Sequence, residues 1–220
     1  MLIIPITSIK TLFGAFSFTN LQMKTKKPLE KVTTIIDAND YSLKEYAEYL
    51  ERNYNGKYLT IVTKSETIKI KLDNEVFPHL IGMQYCYSKQ RNKHKYKGAD
   101  GFIKLKSGEI TLEMLRNNYR KNNESQLSWE DRILPRIEWL PCFLNSISKK
   151  EYHLCENDKT SDDSILNGDY LLFKFGRDKY AILSIIKVGK TYSCESFFYN
   201  SGLNYYNPSK EIDIIDMYLL

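Results

Sequence analysis

The chain has 220 residues, 32 Lys and Arg against 27 Asp and Glu, and four cysteines. That length suits one ordinary domain with a sizeable core, while a net charge of +5 says little about partners until its distribution is read. Cys86, Cys142, Cys155 and Cys194 form no C-x-x-C pair and lack the Cys/His spacing of zinc, so neither a zinc site nor a disulfide framework is indicated and a reduced, cytoplasmic protein is expected.

The first 40 residues read as an N-terminal extension ahead of a single domain over residues 41–220. Met1–Leu21 is apolar, but it lacks a basic stretch at its start and is interrupted by Pro5, Thr7, Ser8 and Lys10. That pattern argues against a membrane span and against a signal peptide. Either residues 1–22 form a docking element or the chain starts at Met23. Asp40 is a candidate cap for a helix over Tyr41–Arg52, with Leu43, Tyr46, Ala47 and Leu50 on one face and Asn55-Gly56 as its stop. Tyr58–Thr63 and Thr67–Leu72 alternate with period two and read as a hairpin.

Phe77-Pro78-His79-Leu80-Ile81-Gly82-Met83 then places a histidine in an apolar turn. Pro78 favours a helix start, and a histidine in that first turn can titrate near neutral pH, as a proton-transfer catalyst must. The alternative is a histidine at the edge of the core, satisfied by a backbone carbonyl. From Lys89 to Lys106 the chain carries Lys89, Arg91, Lys93, Lys95, Lys97, Lys104 and Lys106 against Asp100 alone. Such a run can follow a phosphate backbone, with Lys89, Arg91, Lys93, Lys95 and Lys97 as the RNA-binding candidates; equally it can be a solvated, mobile loop. The 17 tyrosines are read mainly as compositional bias and sheet packing.

Helices are expected over Thr111–Asn118 and over residues 128–146, where Pro135 sits in the first turns or ends a shorter helix. Arg136 is either a two-pronged anion clamp or the ion-pair partner of Glu130 or Asp131. Tyr152–Cys155 reads as an edge strand, followed by Tyr170–Phe175, Tyr180–Val188, Tyr192–Tyr199 and Ile212–Tyr218. Lys174, at the end of an otherwise apolar strand, borders a cleft or snorkels from an edge. Helices first and strands later define an α+β domain. No nucleophile elbow and no phosphate-binding glycine loop of the Walker type is present.

The order I-K-I-K-L-x(4)-F-P-H-L-I-G-M, then Arg136-Ile137-Glu138, Gly168–Lys174 and Cys194-Glu-Ser-Phe-Phe198, resembles a phage-associated branch of the barnase–EndoU–colicin–RelE-like nuclease superfamily. The resemblance spans roughly residues 41–206. It implies a small antiparallel sheet with N-terminal and central helices packed on it, and toxin-like RNA cleavage without a metal or other cofactor in phage or mobile-element conflict. It also implies RNA as partner and leaves room for a protein antitoxin or immunity partner; no membrane partner is expected, from the pattern of Met1–Leu21. Ser196 falls where the branch carries a small hydroxyl residue before aromatics; it donates to a phosphate oxygen or serves as a cross-strand partner. On this reading His79, Arg136, Lys174 and Ser196 form one catalytic cleft. The runner-up is an inactive RNA- or protein-binding module on the same fold.

Overall fold

A computed structural model of the chain describes residues 29, 32–122, 128–147, 151–157, 166–176, 179–200 and 205–220. The expectations for residues 1–22 and for Met23 lie outside these.

Helix α1 is Leu43–Tyr54, and its start is set by Ser42. The Ser42 hydroxyl accepts the Glu45 amide while the Glu45 carboxylate accepts the Ser42 amide, a reciprocal pair that satisfies two donors of the first turn. Asp40, the cap expected from sequence, instead closes a 3-10 turn over Ala38–Asp40 capped by Asp37. Strands β1 (Lys57–Thr63) and β2 (Thr67–Leu72) form the expected antiparallel hairpin. Two four-residue helices follow, α2 (Phe77–Leu80) and α3 (Met83–Cys86), with Pro78 in the first turn of α2. The basic run is no loop throughout: Lys93–Tyr96 is a 3-10 turn, and Gly98–Lys106 is helix α4. Helix α5 is Leu112–Asn122. The long central helix divides at Ile133 into α6 (Trp129–Arg132) and α7 (Leu134–Asn145), where Pro135 occupies a position with no amide bond to lose.

Five more strands, β3 (His153–Glu156), β4 (Tyr170–Phe175), β5 (Tyr180–Val188), β6 (Thr191–Asn200) and β7 (Glu211–Ile212), precede β8 (Ile214–Leu219). The expected small sheet is in fact an eight-stranded one in the order β7-β3-β4-β5-β6-β2-β1-β8. All pairings are antiparallel except β2 with β6, which meet in parallel at Ile70 and Tyr192. Its two outermost strands are separated in the chain by Asp213 alone, so the sheet must curl until its edges nearly meet. Consequently β3 is not the edge strand expected from sequence: β7 covers its free side.

Helices α2, α6 and α7 pack against β6. Helix α7 lies on β6 through Trp139 against Tyr199 and Phe143 against Phe197, ring centroids 5.0 and 5.2 Å apart. Helix α1 joins α7 through Asn145, which bonds both the Tyr49 and the Tyr54 hydroxyls at 2.9 Å. Part of the expected extension is tied to the same helices: Asn145 Nδ2 donates to Val32 O at 2.6 Å, Arg52 to Leu29 O at 3.2 Å, and Ile36 N to Glu138 O at 3.3 Å. Among the described residues no helix is long and apolar enough to cross a membrane.

Candidate functional site

His79 owes its orientation to its neighbours. Phe77, Leu80 and Ile81 are fully buried, so the short helix α2 is held by its apolar residues and turns the intervening His79 towards the surface. Its Nε2 makes a close hydrogen bond with the carbonyl of Glu195 on β6. A carbonyl can only accept, so Nε2 carries the hydrogen and Nδ1 holds the lone pair of the neutral ring. Packing around the ring lowers its pKa below 6.5; the charges of Arg136 and Lys97 push the same way, against the Glu195 carbonyl and carboxylate. At neutral pH the residue is therefore an uncharged base with a fixed tautomer.

Arg136 approaches from α7. Its Nε donates to Arg132 O at 2.9 Å, its Nη1 lies 3.5 Å from Ser196 Oγ, and its guanidinium is 5.2 Å from the Tyr85 ring. Gly82, at φ +84°, lets the chain turn between α2 and α3 directly under this side chain: a Cβ there would lie 3.2 Å from Arg136 Cδ and 2.8 Å from Ile133 Cδ1. Only 5% of Arg136 is exposed, and burial lowers its pKa to about 10, so it stays charged at neutral pH. Among the described residues no carboxylate pairs with it. The two acids expected as partners are engaged elsewhere, Glu130 with Arg120 at 3.3 Å and Asp131 with Ser128 at 2.6 Å. A second guanidinium, Arg132, stacks on Tyr85 at 4.0 Å and bonds the Tyr119 hydroxyl. The charges of Arg136 and Lys97 both act on His79, opposed by the Glu195 carboxylate.

His79, Arg136 and Ser196 are brought together; Lys174 is not. Lys174 stands opposite Ala181, which stands opposite Tyr199, three positions along β6 from Ser196. Two strand spacings and three residue rises separate it from Ser196 by roughly 10 Å in each direction. There it bonds Glu151 at 3.0 Å and lies 5.2 Å from the Tyr152 ring. Lys89, Arg91, Lys93, Lys95 and Lys97 are all exposed, and among the described residues none of them pairs with a carboxylate. Lys104 and Lys106, by contrast, are neutralised by Glu109 and Glu51. The segment is anchored by Tyr96, stacked on Tyr87 at 3.7 Å with ring planes 2° apart. Lys97 ends it close enough to His79 to act on its charge, so the basic surface runs into the histidine. Sequence reading missed Tyr85, Arg132 and Glu195; the four-residue spacing of Arg132 and Arg136 was the one available signal, since it aligns side chains on a helix.

Among catalytic chemistries, an oriented neutral histidine beside an arginine that lacks a counter-charge suits reactions at a phosphate, where a proton must move and negative charge develops. The sequence comparison places the chain within such a class. Residues 42–218 match the model of the phage-Barnase-EndoU-ColicinE5/D-RelE like nuclease4 family, and the chain belongs to that nuclease family. No curated protein and no solved structure matches it. The family makes nucleic acid the substrate class.

Proposed function

We propose that the protein is a metal-independent endoribonuclease with a toxin-like role in phage or mobile-element conflict. The observation that carries this reading is the buried Arg136 guanidinium, which has no carboxylate among the described residues and lies beside the neutral His79. A buried cation without a counter-charge is costly even when hydrogen-bonded, and a phosphate that accepts from it offsets that cost. His79 Nδ1 takes the proton of a ribose 2′-hydroxyl, the 2′-oxygen attacks phosphorus, and the bond to the 5′-oxygen breaks. Arg136 stabilises the charge on the phosphorane, with Ser196 donating to the same oxygens. The departing 5′-oxygen takes its proton from solvent water, and the protonated His79 returns its proton to solvent afterwards. Lys174 takes no part. A protein antitoxin or immunity partner belongs to the same proposal.

Purified protein incubated with single-stranded RNA in EDTA tests this directly: cleavage is expected, and none would overturn the enzymatic assignment. Because the base must be neutral, activity should fall only as pH drops through the lowered pKa of His79, so the acid limb of kcat/KM should lie below pH 6.5. Lys97→Ala removes one of the two cations that depress it, so the limb should move up; a limb already above 6.5 in the wild type contradicts the assigned base.

The basic run positions the strand. Replacing Lys93, Lys95 and Lys97 by Glu should weaken RNA binding alike for all sequences and flatten its dependence on salt, since each lost phosphate contact lowers the slope by about one unit or slightly less. Unchanged affinity in a filter-binding salt series would reduce the run to a solvated surface.

A further inference from the structure

Strand β6 carries one residue more than β5 at a single place: Ser184 faces Ser196, whereas Ile185 faces Cys194. The extra residue is Glu195, and the bulge leaves its carbonyl outside the regular ladder, free to accept from His79 Nε2. The Glu195 side chain is held at both oxygens. Oε1 accepts the Asn167 amide at 2.9 Å, and Oε2 accepts the Ser184 hydroxyl at 2.7 Å. Ser184 is fully buried, and the Asp169 amide bonds Ile185 O at 2.7 Å, which clamps residues 167–169 against β5 beside the bulge. Gly168 fits this corner because it lacks a side chain: a Cβ there would overlap Ser184 Oγ and lie 3.0 Å from Glu195 Oε2.

We propose that Ser184 and Glu195 are positioning residues for His79, fixing the bulge so that its main-chain carbonyl holds the ring with Nε2 protonated and Nδ1 open. The consequence for cleavage rests on His79 being the base; the consequence for the ring does not. A residue that only completed the sheet would have no reason to set a histidine tautomer. Here the carboxylate's hydrogen bonds go to Asn167 and Ser184 while the carbonyl of the same residue turns to the ring, so side-chain anchoring and ring orientation are joined through one residue.

The test is the ¹⁵N spectrum of the His79 ring in the full chain at pH 8, with the wild type compared with Ser184→Ala, Glu195→Ala and Glu195→Gln. Wild type should show one tautomer with hydrogen on Nε2. Ser184→Ala and Glu195→Ala should show a mixture, and Glu195→Gln, which keeps one acceptor oxygen, should restore most of the single form. In cleavage assays kcat should fall by roughly 10- to 100-fold in the alanine variants, the scale of an active-site misplacement of about 1 Å, with KM within about twofold. A single, unchanged tautomer in folded alanine variants overturns the proposal. Should Ser184→Ala fail to fold, Glu195→Ala, at a half-buried position, carries the same test. If the wild type cuts no RNA, the tautomer still decides the positioning claim, and the ribonuclease reading alone falls.

Discussion

Replacing His79 by alanine is expected to slow RNA cleavage by roughly two to four orders of magnitude, the usual contribution of a positioned acid or base. Binding should change little, because the neutral ring contributes no charge to phosphate contacts and the cations that act on it, Arg136 and Lys97, remain. The fold should survive as well. His79 lies at the surface of a helix anchored by the fully buried Phe77, Leu80 and Ile81, so truncation opens no cavity in the core. Paired gel-shift and single-turnover measurements separate the two effects. Equal cleavage by His79→Ala would transfer the base to another residue.

Arg136→Met gives the second large effect, and stability and activity should move in opposite directions. Cleavage should fall by roughly 10²–10³-fold, the loss seen when one preorganised stabiliser of transition-state charge is removed. Thermal stability, however, should hold or rise. An arginine with 5% exposure and no carboxylate partner among the described residues bears a desolvation cost, and an apolar chain of similar length fills the space above Gly82 without it. Were Arg136 a structural ion-pair member, the same substitution would strand a buried acid and destabilise the protein by several kcal/mol, about 3–5. Calorimetry on the variant therefore distinguishes the two roles without any activity assay. Arg136→Lys should rescue little, since a single ammonium cannot reproduce the planar fork that meets two phosphate oxygens.

Local pattern made much of the architecture legible. Leu43, Tyr46, Ala47 and Leu50 mark the buried face of α1, and the alternation in Thr67–Leu72 fixes which residues of β2 point inwards. What local pattern does not carry is closure. Whether Glu211–Ile212 and Ile214–Leu219 pair with each other or travel to opposite edges depends on β3 and β1, more than 50 residues away in sequence, and no periodicity encodes that choice. The same limit applies to the cap of α1, where Asp40 and Ser42 are both suitable residues and only the reciprocal bond with Glu45 decides.

The site divides along similar lines. His79 stood out because a polar residue interrupted an apolar turn after a strand. Arg136 stood out by charge, but sequence could not show that Glu130 and Asp131 are engaged elsewhere, with Arg120 and Ser128. Lys174 looked equivalent to these in sequence and is not, because the register of β4 on β5 carries it past the cleft. Glu195 was invisible for a different reason: its contact with His79 is made by a main-chain carbonyl, which every residue has, and by a bulge that exists only once β5 and β6 are paired.

The measurement that bears most directly on the account is the chemistry of the cut ends. RNA cleaved by the wild-type protein in EDTA should carry a 2′,3′-cyclic phosphate on one fragment and a 5′-hydroxyl on the other, and an oligonucleotide with a single 2′-O-methyl group at the scissile position should bind but stay intact. Mass spectrometry of the fragments reads both. Ends bearing a 5′-phosphate and a 3′-hydroxyl, or cleavage of the methylated substrate, would mean that water attacks phosphorus and that His79 does not deprotonate the ribose.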